Sequence, residues 1–312
     1  MTEAPIFSLV VPAFNEEGSV EILASEIQKV MTELEGQYEL IWVDDGSTDA
    51  TVEAMQRVQA GHDNIKILQL GRNMGKSEAY TRGFSAARGN LIITLDADLQ
   101  DDPAEIPRLL GEFHKGFDLV VGRKMGRMGN EPRKAIVSRP FNFALRKLFK
   151  LDLHDTNSGF RIMKSDVAKS LNLYGDLYRF IPQIAHLNGS SVTEVGVTHR
   201  KRSFGSSKYG ASRFWTGFLD LCTVTFLGLF VRKPLHIFAT FGAVFAILGF
   251  GLEVYVLLQK LLGSTFQKHV AAIIIGAMLL ILSVQLFMSG ILADMLASQR
   301  RMLEDIQRRF ER

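Results

Sequence analysis

From Val270 to Ala293 the chain runs 24 residues without a single charged side chain. A helix of that length crosses the roughly 30 Å hydrocarbon core of a bilayer. A second uncharged run of 18 residues spans Leu235–Leu252, and its apolar character continues past Glu253 to Leu258. Two spans are therefore expected, at 234–258 and 270–293. A third apolar stretch, Phe214–Val231, carries Asp220 midway and is bounded by Arg213, Arg232, Lys233 and Pro234. Residues 211–233 are read as amphipathic helices in the membrane interface, with a third span as the rival. The basic flanks argue for two. Lys208, Arg213, Arg232 and Lys233 precede the first span, and Arg300, Arg301, Arg308, Arg309 and Arg312 follow the second. The connecting loop has only Lys260 and Lys268. By the positive-inside rule both flanks are expected in the cytoplasm, with 294–312 a basic cytosolic tail. The first residues have neither a basic n-region nor an apolar h-region, so no signal peptide is expected. Residues 1–210 are then a cytosolic domain, and lone Cys222 suits a reducing compartment.

That first segment alternates strand and helix signals. Short apolar runs occur at Phe7–Val11, Leu40–Val43, Ile65–Leu70, Leu91–Leu95 and Asp118–Gly122, with helical patterns between them. This alternation implies βαβ units and a mostly parallel sheet. Ligands of such sheets bind beyond the carboxyl ends of the strands. Acidic residues stand directly after the second and fourth runs, as Asp44-Asp45 and as Asp96-Ala97-Asp98. Two superficial motifs fail. Gly71-Arg72-Asn73-Met74-Gly75-Lys76-Ser77 has one residue too few between its glycines for a P-loop, and no G-x-G-x-x-G follows the first strand.

Asp96 and Asp98 share one side of an extended strand, if extended geometry persists there. Their hard oxygens, with the Gln100 amide, suit Mg²⁺ or Mn²⁺ bridging a diphosphate. Three segments in order, each at a strand end, carry a resemblance: Val11-Pro12-Ala13-Phe14-Asn15-Glu16-Glu17, Val43-Asp44-Asp45-Gly46-Ser47-Thr48-Asp49 and Asp96-Ala97-Asp98-Leu99-Gln100. Asn157-Ser158-Gly159-Phe160-Arg161 and Arg202-Ser203-Phe204-Gly205-Ser206-Ser207-Lys208 extend it. With two C-terminal spans, the chain resembles the polyprenyl-phosphate glycosyltransferases of glycosyltransferase family 2. These include dolichol-phosphate mannose synthase and bacterial undecaprenyl-phosphate sugar transferases.

The resemblance implies an α/β fold of the GT-A class. It implies an inverting, metal-dependent transfer of a sugar from a UDP- or GDP-linked donor to undecaprenyl or dolichyl phosphate. By the same resemblance Pro12, Phe14 and Glu16 line the nucleotide, and Val43 and Asp45 contact base and ribose. Asp96, Ala97, Asp98 and Gln100 take the diphosphate, with Asp96, Asp98 and Gln100 at the metal. Residues 123–150 hold nine Lys/Arg against one acid, and 199–213 hold five against none. Arg123, Arg133 and Arg202, with Ser207 and Lys208, are the expected ligands of the acceptor phosphate, because guanidinium grips phosphate with paired bonds. Asp98, Arg123, Arg133 and Arg202 are the expected catalytic residues; Arg139 and Arg161 stay open between phosphate binding and structure. A phosphate monoester is already ionised at pH 7, so attack does not depend on a dedicated base, and Asp155 stays open as the alternative. The expected setting is a bacterial inner membrane and a homotetramer, with no nucleic-acid partner. Two rival readings are a processive polysaccharide synthase, whose Q-x-x-R-W motif is missing here, and a non-catalytic scaffold of the same fold.

Overall fold

The computed structural model describes residues 5–34, 36–125, 149, 151–155, 158–200 and 234–310. The chain divides into two compact units, Met1–Asp220 and Leu221–Arg312.

The first unit is built on strands β1 (Phe7–Ala13), β2 (Tyr38–Asp44), β3 (Ile65–Gln69), β4 (Leu91–Thr94), β5 (Leu119–Met125), β6 (Arg161–Lys164) and β7 (Val192–Thr198). Helices α1 (Val20–Glu33), α2 (Thr51–Gln59), α3 (Lys76–Ala86), α4 (Ile106–Phe113), α5 (Ser165–Lys169) and α6 (Ile181–Leu187) connect or follow them. The sheet order is β3-β2-β1-β4-β6-β5-β7. All residues of β1 are buried, as expected for a strand covered on both faces. α1 turns Val20, Leu23, Ala24, Ile27, Val30 and Met31 inward at helical spacing. Each fully buried aliphatic side chain there is worth about 1.5 to 3 kcal/mol.

Pairing is parallel except around β6, which runs antiparallel between β4 and β5. Register fixes the functional edge. Ala13 pairs with Asp44, Val10 with Thr94, and Thr94 with Arg161. The chain therefore leaves β1, β2 and β4 on one side, where strand order switches between β1 and β4. The opposite edge is closed by buried Glu39. Its carboxylate accepts from Ser8 Oγ at 2.7 Å and from the Arg88 N–H at 2.6 Å, and pairs with Lys66 at 3.0 Å.

The second unit holds α7 (Pro234–Leu261) and α8 (Val270–Phe310), both long and apolar enough to cross a membrane. They extend past the expected limits of 258 and 293, and α8 runs on through most of the expected tail. Large apolar side chains such as Ile247, Phe250, Ile274 and Met278 face outward, the reverse of a buried core helix. The seam between the helices is lined by small residues. A Cβ on Gly249 would lie 2.8 Å from the Gly276 carbonyl oxygen, and one on Gly242 3.1 Å from that of Ser283. Gly276, Ser283 and Gly290 recur every seven residues along one side of α8, so the backbones approach closely without side-chain obstruction. The expected interfacial segment, 211–233, lies outside the described residues.

Candidate active site

The loops leaving β1 and β2 are stitched together. Asn15 adopts φ 56°, a left-handed conformation that asparagine tolerates. Its side-chain oxygen accepts from the Thr48 N–H at 2.8 Å, and its own N–H donates to Ser47 Oγ at 2.9 Å. The Glu16 N–H donates to Thr51 Oγ1 at 2.8 Å. Gly46 takes φ +74°, and a Cβ there would sit 2.5 Å from the backbone of Arg72. The segment after β3 thus lies directly on the β2 turn. Between them opens a cavity of about 580 Å³ lined by Phe14, Asp44, Ser47, Leu70, Arg72 and Asn73. That volume suits a nucleoside-sized ligand.

Phe14 lines this cavity. Pro12 and Val43 pair with each other inside the sheet, and both are buried. They position the turns that follow them. Asp45 is also buried, and its carboxylate accepts from the Met74 N–H at 2.7 Å and the Gly75 N–H at 3.0 Å. Burial pushes its pKa up, and those two N–H groups oppose the rise. Arg72 and Asn73 were not anticipated. Failure of the P-loop pattern concealed that this segment still reaches the carboxyl edge of the sheet.

Asp96-Ala97-Asp98 does not continue the strand. β4 ends at Thr94, the next residues turn, and Leu99 takes φ 61°. Strand alternation therefore does not align the two carboxylates. Asp96 instead forms an ion pair with Lys76, the first residue of α3. Burial of Asp96 works against its ionisation, but Lys76, then Lys124 and Arg161, outweigh it and hold the carboxyl down at about 2. Burial likewise opposes the Lys76 charge, and Asp96 prevails and raises that pKa. The Lys76 ammonium lies 5.6 Å from the Tyr80 ring centre and 5.3 Å from that of Tyr178. Behind Asp96, Gly159 leaves room that a Cβ would fill, 2.3 Å from Asp96 Oδ1. Arg161 is 1% exposed and donates to the Tyr178 carbonyl at 3.2 Å. Its Nε and Nη1 find no hydrogen-bond partner among the described residues.

Asp98 Oδ1 accepts from the Gln100 N–H at 3.2 Å, and the Gln100 carbonyl accepts from the Arg200 N–H at 2.9 Å. Among the described residues no three His, Cys, Asp or Glu side chains form a metal cage. Mg²⁺ is commonly held by one or two carboxylates, with substrate phosphates completing its shell. Asp98 and Gln100, in a turn beside an already neutralised Asp96, fit a site of that open kind.

On the far side, Arg123 Nη1 pairs with Glu194 Oε1 at 3.2 Å, and Glu194 also accepts from the His154 N–H at 2.7 Å. Arg200 clamps Glu26 at 2.8 Å and Asp102 at 2.7 Å. Asp101 forms an isolated bridge with His199. The Asp96–Asp102 turn is thereby tied to the residues immediately before Arg202. Arg133, Arg139, Asn157, Arg202, Ser207 and Lys208 lie outside the described residues.

Comparison with known proteins shows the family and the fold. Residues 8–171 match the profile described as glycosyl transferase family 2. Dodecaprenyl-phosphate galacturonate synthase of Rhizobium johnstonii is 37% identical over 93% of this chain and 87% of its own length. Undecaprenyl-phosphate 4-deoxy-4-formamido-L-arabinose transferase of Photorhabdus laumondii is 30% identical over 97% of this chain and 91% of its own. Among solved structures, glucosyl-3-phosphoglycerate synthase from Mycobacterium tuberculosis, in complex with Mn²⁺ and UDP-glucose, aligns with a TM-score of 0.57. That alignment covers 72% of this chain and 79% of the other at 21% identity, and it shows the GT-A fold. The chain is a glycosyltransferase and belongs to glycosyl transferase family 2.

Proposed function

We propose that this protein moves a sugar from a nucleoside diphosphate sugar to a polyprenyl monophosphate at the cytosolic face of a bacterial inner membrane. The observation that carries the reading is the extent of the likeness. Relatives named for dodecaprenyl- and undecaprenyl-phosphate match nearly the whole chain, the two apolar helices included. A polyprenyl chain stays in the bilayer because each buried CH₂ contributes about 0.8 kcal/mol. A catalytic unit followed by a membrane hairpin brings the site to such an acceptor.

Phe14 and Asp44 accommodate the nucleoside in the cavity beyond β1 and β2. Glu16 and Asp45 fix the loops around it. Asp98 and Gln100, beside Asp96, hold the diphosphate with a divalent cation, Mg²⁺ or Mn²⁺, which stabilises charge on the leaving group when bound. Arg123, Arg133 and Arg202, with Ser207 and Lys208, orient the acceptor phosphate. A phosphate oxygen attacks the anomeric carbon, the bond from that carbon to the diphosphate oxygen breaks, and the nucleoside diphosphate departs. One displacement inverts the anomeric configuration. The phosphate is already ionised, so positioning replaces general-base catalysis.

On this reading the chain crosses the membrane twice, the basic flanks keep both termini and the catalytic unit in the cytoplasm, and the assembly is a homotetramer. A donor panel tests the reading: purified protein, UDP- and GDP-sugars and undecaprenyl phosphate, with lipid products identified by mass. Cysteines introduced at Ser264 and Ser298 test the topology. A membrane-impermeant thiol reagent applied from outside should label the first and spare the second. Equal labelling refutes two spans.

A further inference from the structure

Glu194 stands on β7, the last strand in the sheet order, and has no part in the mechanism above. We propose that Glu194 is a positioning residue for the transfer: its carboxylate sets the Arg123 guanidinium where that side chain meets the acceptor phosphate. The inference rests on the reading of the protein as a polyprenyl-phosphate sugar transferase with Arg123 among the ligands of the acceptor.

The contacts of the carboxylate are the first argument. A charge on an edge strand is ordinarily solvated and deters unwanted strand pairing. The Glu194 side chain is instead only 10% exposed. Its Oε1 lies 3.2 Å from Arg123 Nη1 and 2.7 Å from His154 Nδ1. Its Oε2 accepts from the N–H groups of His154 at 2.7 Å and Asp155 at 3.3 Å. The two oxygens of a carboxylate offer about four acceptor sites, so this one is fully engaged. Main-chain N–H groups hold one oxygen, and the other is left to fix the guanidinium.

The placement of Arg123 is the second. β5 and β7 run parallel, with Val121 opposite Glu194 and Arg123 opposite Gly196. Residues two apart on a strand share a face, so Arg123 and Glu194 stand diagonally on the same one. Gly196 puts no side chain between them. The room is taken by Met125, whose Cγ and Sδ would lie 3.0 Å from a Cβ added there. That sulfur is 3.6 Å from Arg123 Nη2. The guanidinium is thus held at both of its terminal nitrogens.

What Arg123 keeps is the third. An arginine side chain offers five N–H donors, and Glu194 and Met125 engage one each. Its Nε has no partner among the described residues, and the side chain is 35% exposed. The remaining donors suit paired bonds to phosphate oxygens. An arginine ordered before the ligand arrives loses less rotamer freedom on binding. A carboxylate weakens the attraction of a site for phosphate, so a patch built for charge alone would omit it. A carboxylate saturated with donors points to orientation.

The test uses the full-length protein in detergent with Mn²⁺, varied undecaprenyl phosphate and the nucleotide sugar that yields lipid product in the donor panel. Glu194→Gln should lower kcat/KM for undecaprenyl phosphate by about tenfold or more, the size of one lost charge-assisted hydrogen bond. The Kd of the matching nucleoside diphosphate, measured by titration calorimetry, should hold within about threefold. Arg123→Met should lose at least as much kcat/KM, and adding Glu194→Gln to it should change little, because the effect passes through the guanidinium. Glu194→Asp keeps the charge and shortens the reach by one methylene. It should show a smaller loss of the same kind, and it is read by the same criteria should Glu194→Gln not fold. A kcat/KM that is unchanged or raised, an equal loss of nucleoside diphosphate affinity, or losses from Glu194→Gln and Arg123→Met that multiply would each overturn the inference. Absence of lipid product from the wild type with every nucleotide sugar would instead defeat the functional reading, and the inference with it.

Discussion

Replacing Gly159 with alanine places a methyl group inside the Asp96 carboxylate. The added Cβ would lie 2.3 Å from Oδ1, 2.7 Å from Cγ and 2.8 Å from Oδ2, whereas ordinary contact begins near 3.4 Å. One side must therefore yield by about 1 Å, the difference between 3.4 and 2.3 Å. The Gly159 backbone is poorly placed to do so. Its carbonyl accepts from Thr94 Oγ1 at 2.6 Å, and the carbonyl of Phe160 accepts from the Gly122 N–H at 2.9 Å. The carboxylate moves, and its bond to Lys76 is lost. A misplacement of 1 Å in a reacting constellation costs about 100-fold. The expected result is a fall of that size in kcat/KM for nucleoside diphosphate release with lipid phosphate present, and a small change in Tm. Gly83→Ala is the matched control. Its Cβ would fall 2.3 Å from Val10 Cγ1 in the core, overpacking that costs about 1 to 3 kcal/mol. Gly83→Ala should lower Tm and spare kcat. Wild-type kinetics in Gly159→Ala would refute the claim that the placement of Asp96 limits transfer.

Other outcomes follow from the same structure. Asp98→Asn should abolish transfer even at saturating Mn²⁺; near-normal turnover would reject Asp98 as the carboxylate that serves the cation. Glu39→Ala removes a buried acceptor from Ser8, Arg88 and Lys66, and should cost on the order of 2 kcal/mol, discounted because both cations are partly solvated. It lies at the edge opposite the site, so kcat below Tm should not change. Asp118 is held down at about 2 by Lys164 first and then by the N–H and hydroxyl of Ser191. Its unfolded value is about 3.9, so this stabilisation is complete above that pH and disappears as pH falls through 2. Asp118→Asn should lower Tm at pH 7 and match the wild type near pH 2, as scanning calorimetry would show. Gly276→Leu drives a side chain into Glu253 and the Gly249 carbonyl. It should destabilise the α7–α8 hairpin in detergent, read as faster proteolysis within it.

The sheet was legible in part. Five apolar runs correspond to β1–β5; β1, β2 and β4 are nearly continuous hydrophobic segments because they are buried on both faces, while edge strand β3 is only part-buried. β6 and β7 were not found. Arg161-Ile162-Met163-Lys164 is four residues long with charges at both ends, and Val192–Thr198 alternates weakly. Nothing in the order of the chain indicates that β6 inserts antiparallel between β4 and β5. The two long apolar helices were plain, since an uncharged run of spanning length has few alternatives. At the site, motif residues reached the expected edge of the sheet, but their contacts were not legible. Alternation suggested that Asp96 and Asp98 act together, and Leu99 breaks the extended geometry that this requires. Lys76 was legible only as part of a failed P-loop. Its position just after β3, at the ligand-binding edge, was the usable signal.

The central claim is transfer to a lipid phosphate, and mass analysis of the product tests it most directly. Purified protein, Mn²⁺, undecaprenyl phosphate and a panel of UDP- and GDP-sugars should yield one new lipid. Its mass should equal the lipid phosphate plus one sugar residue, formed with one equivalent of nucleoside diphosphate. Nucleotide binding or hydrolysis with every donor, and no sugar on the lipid, would contradict the account.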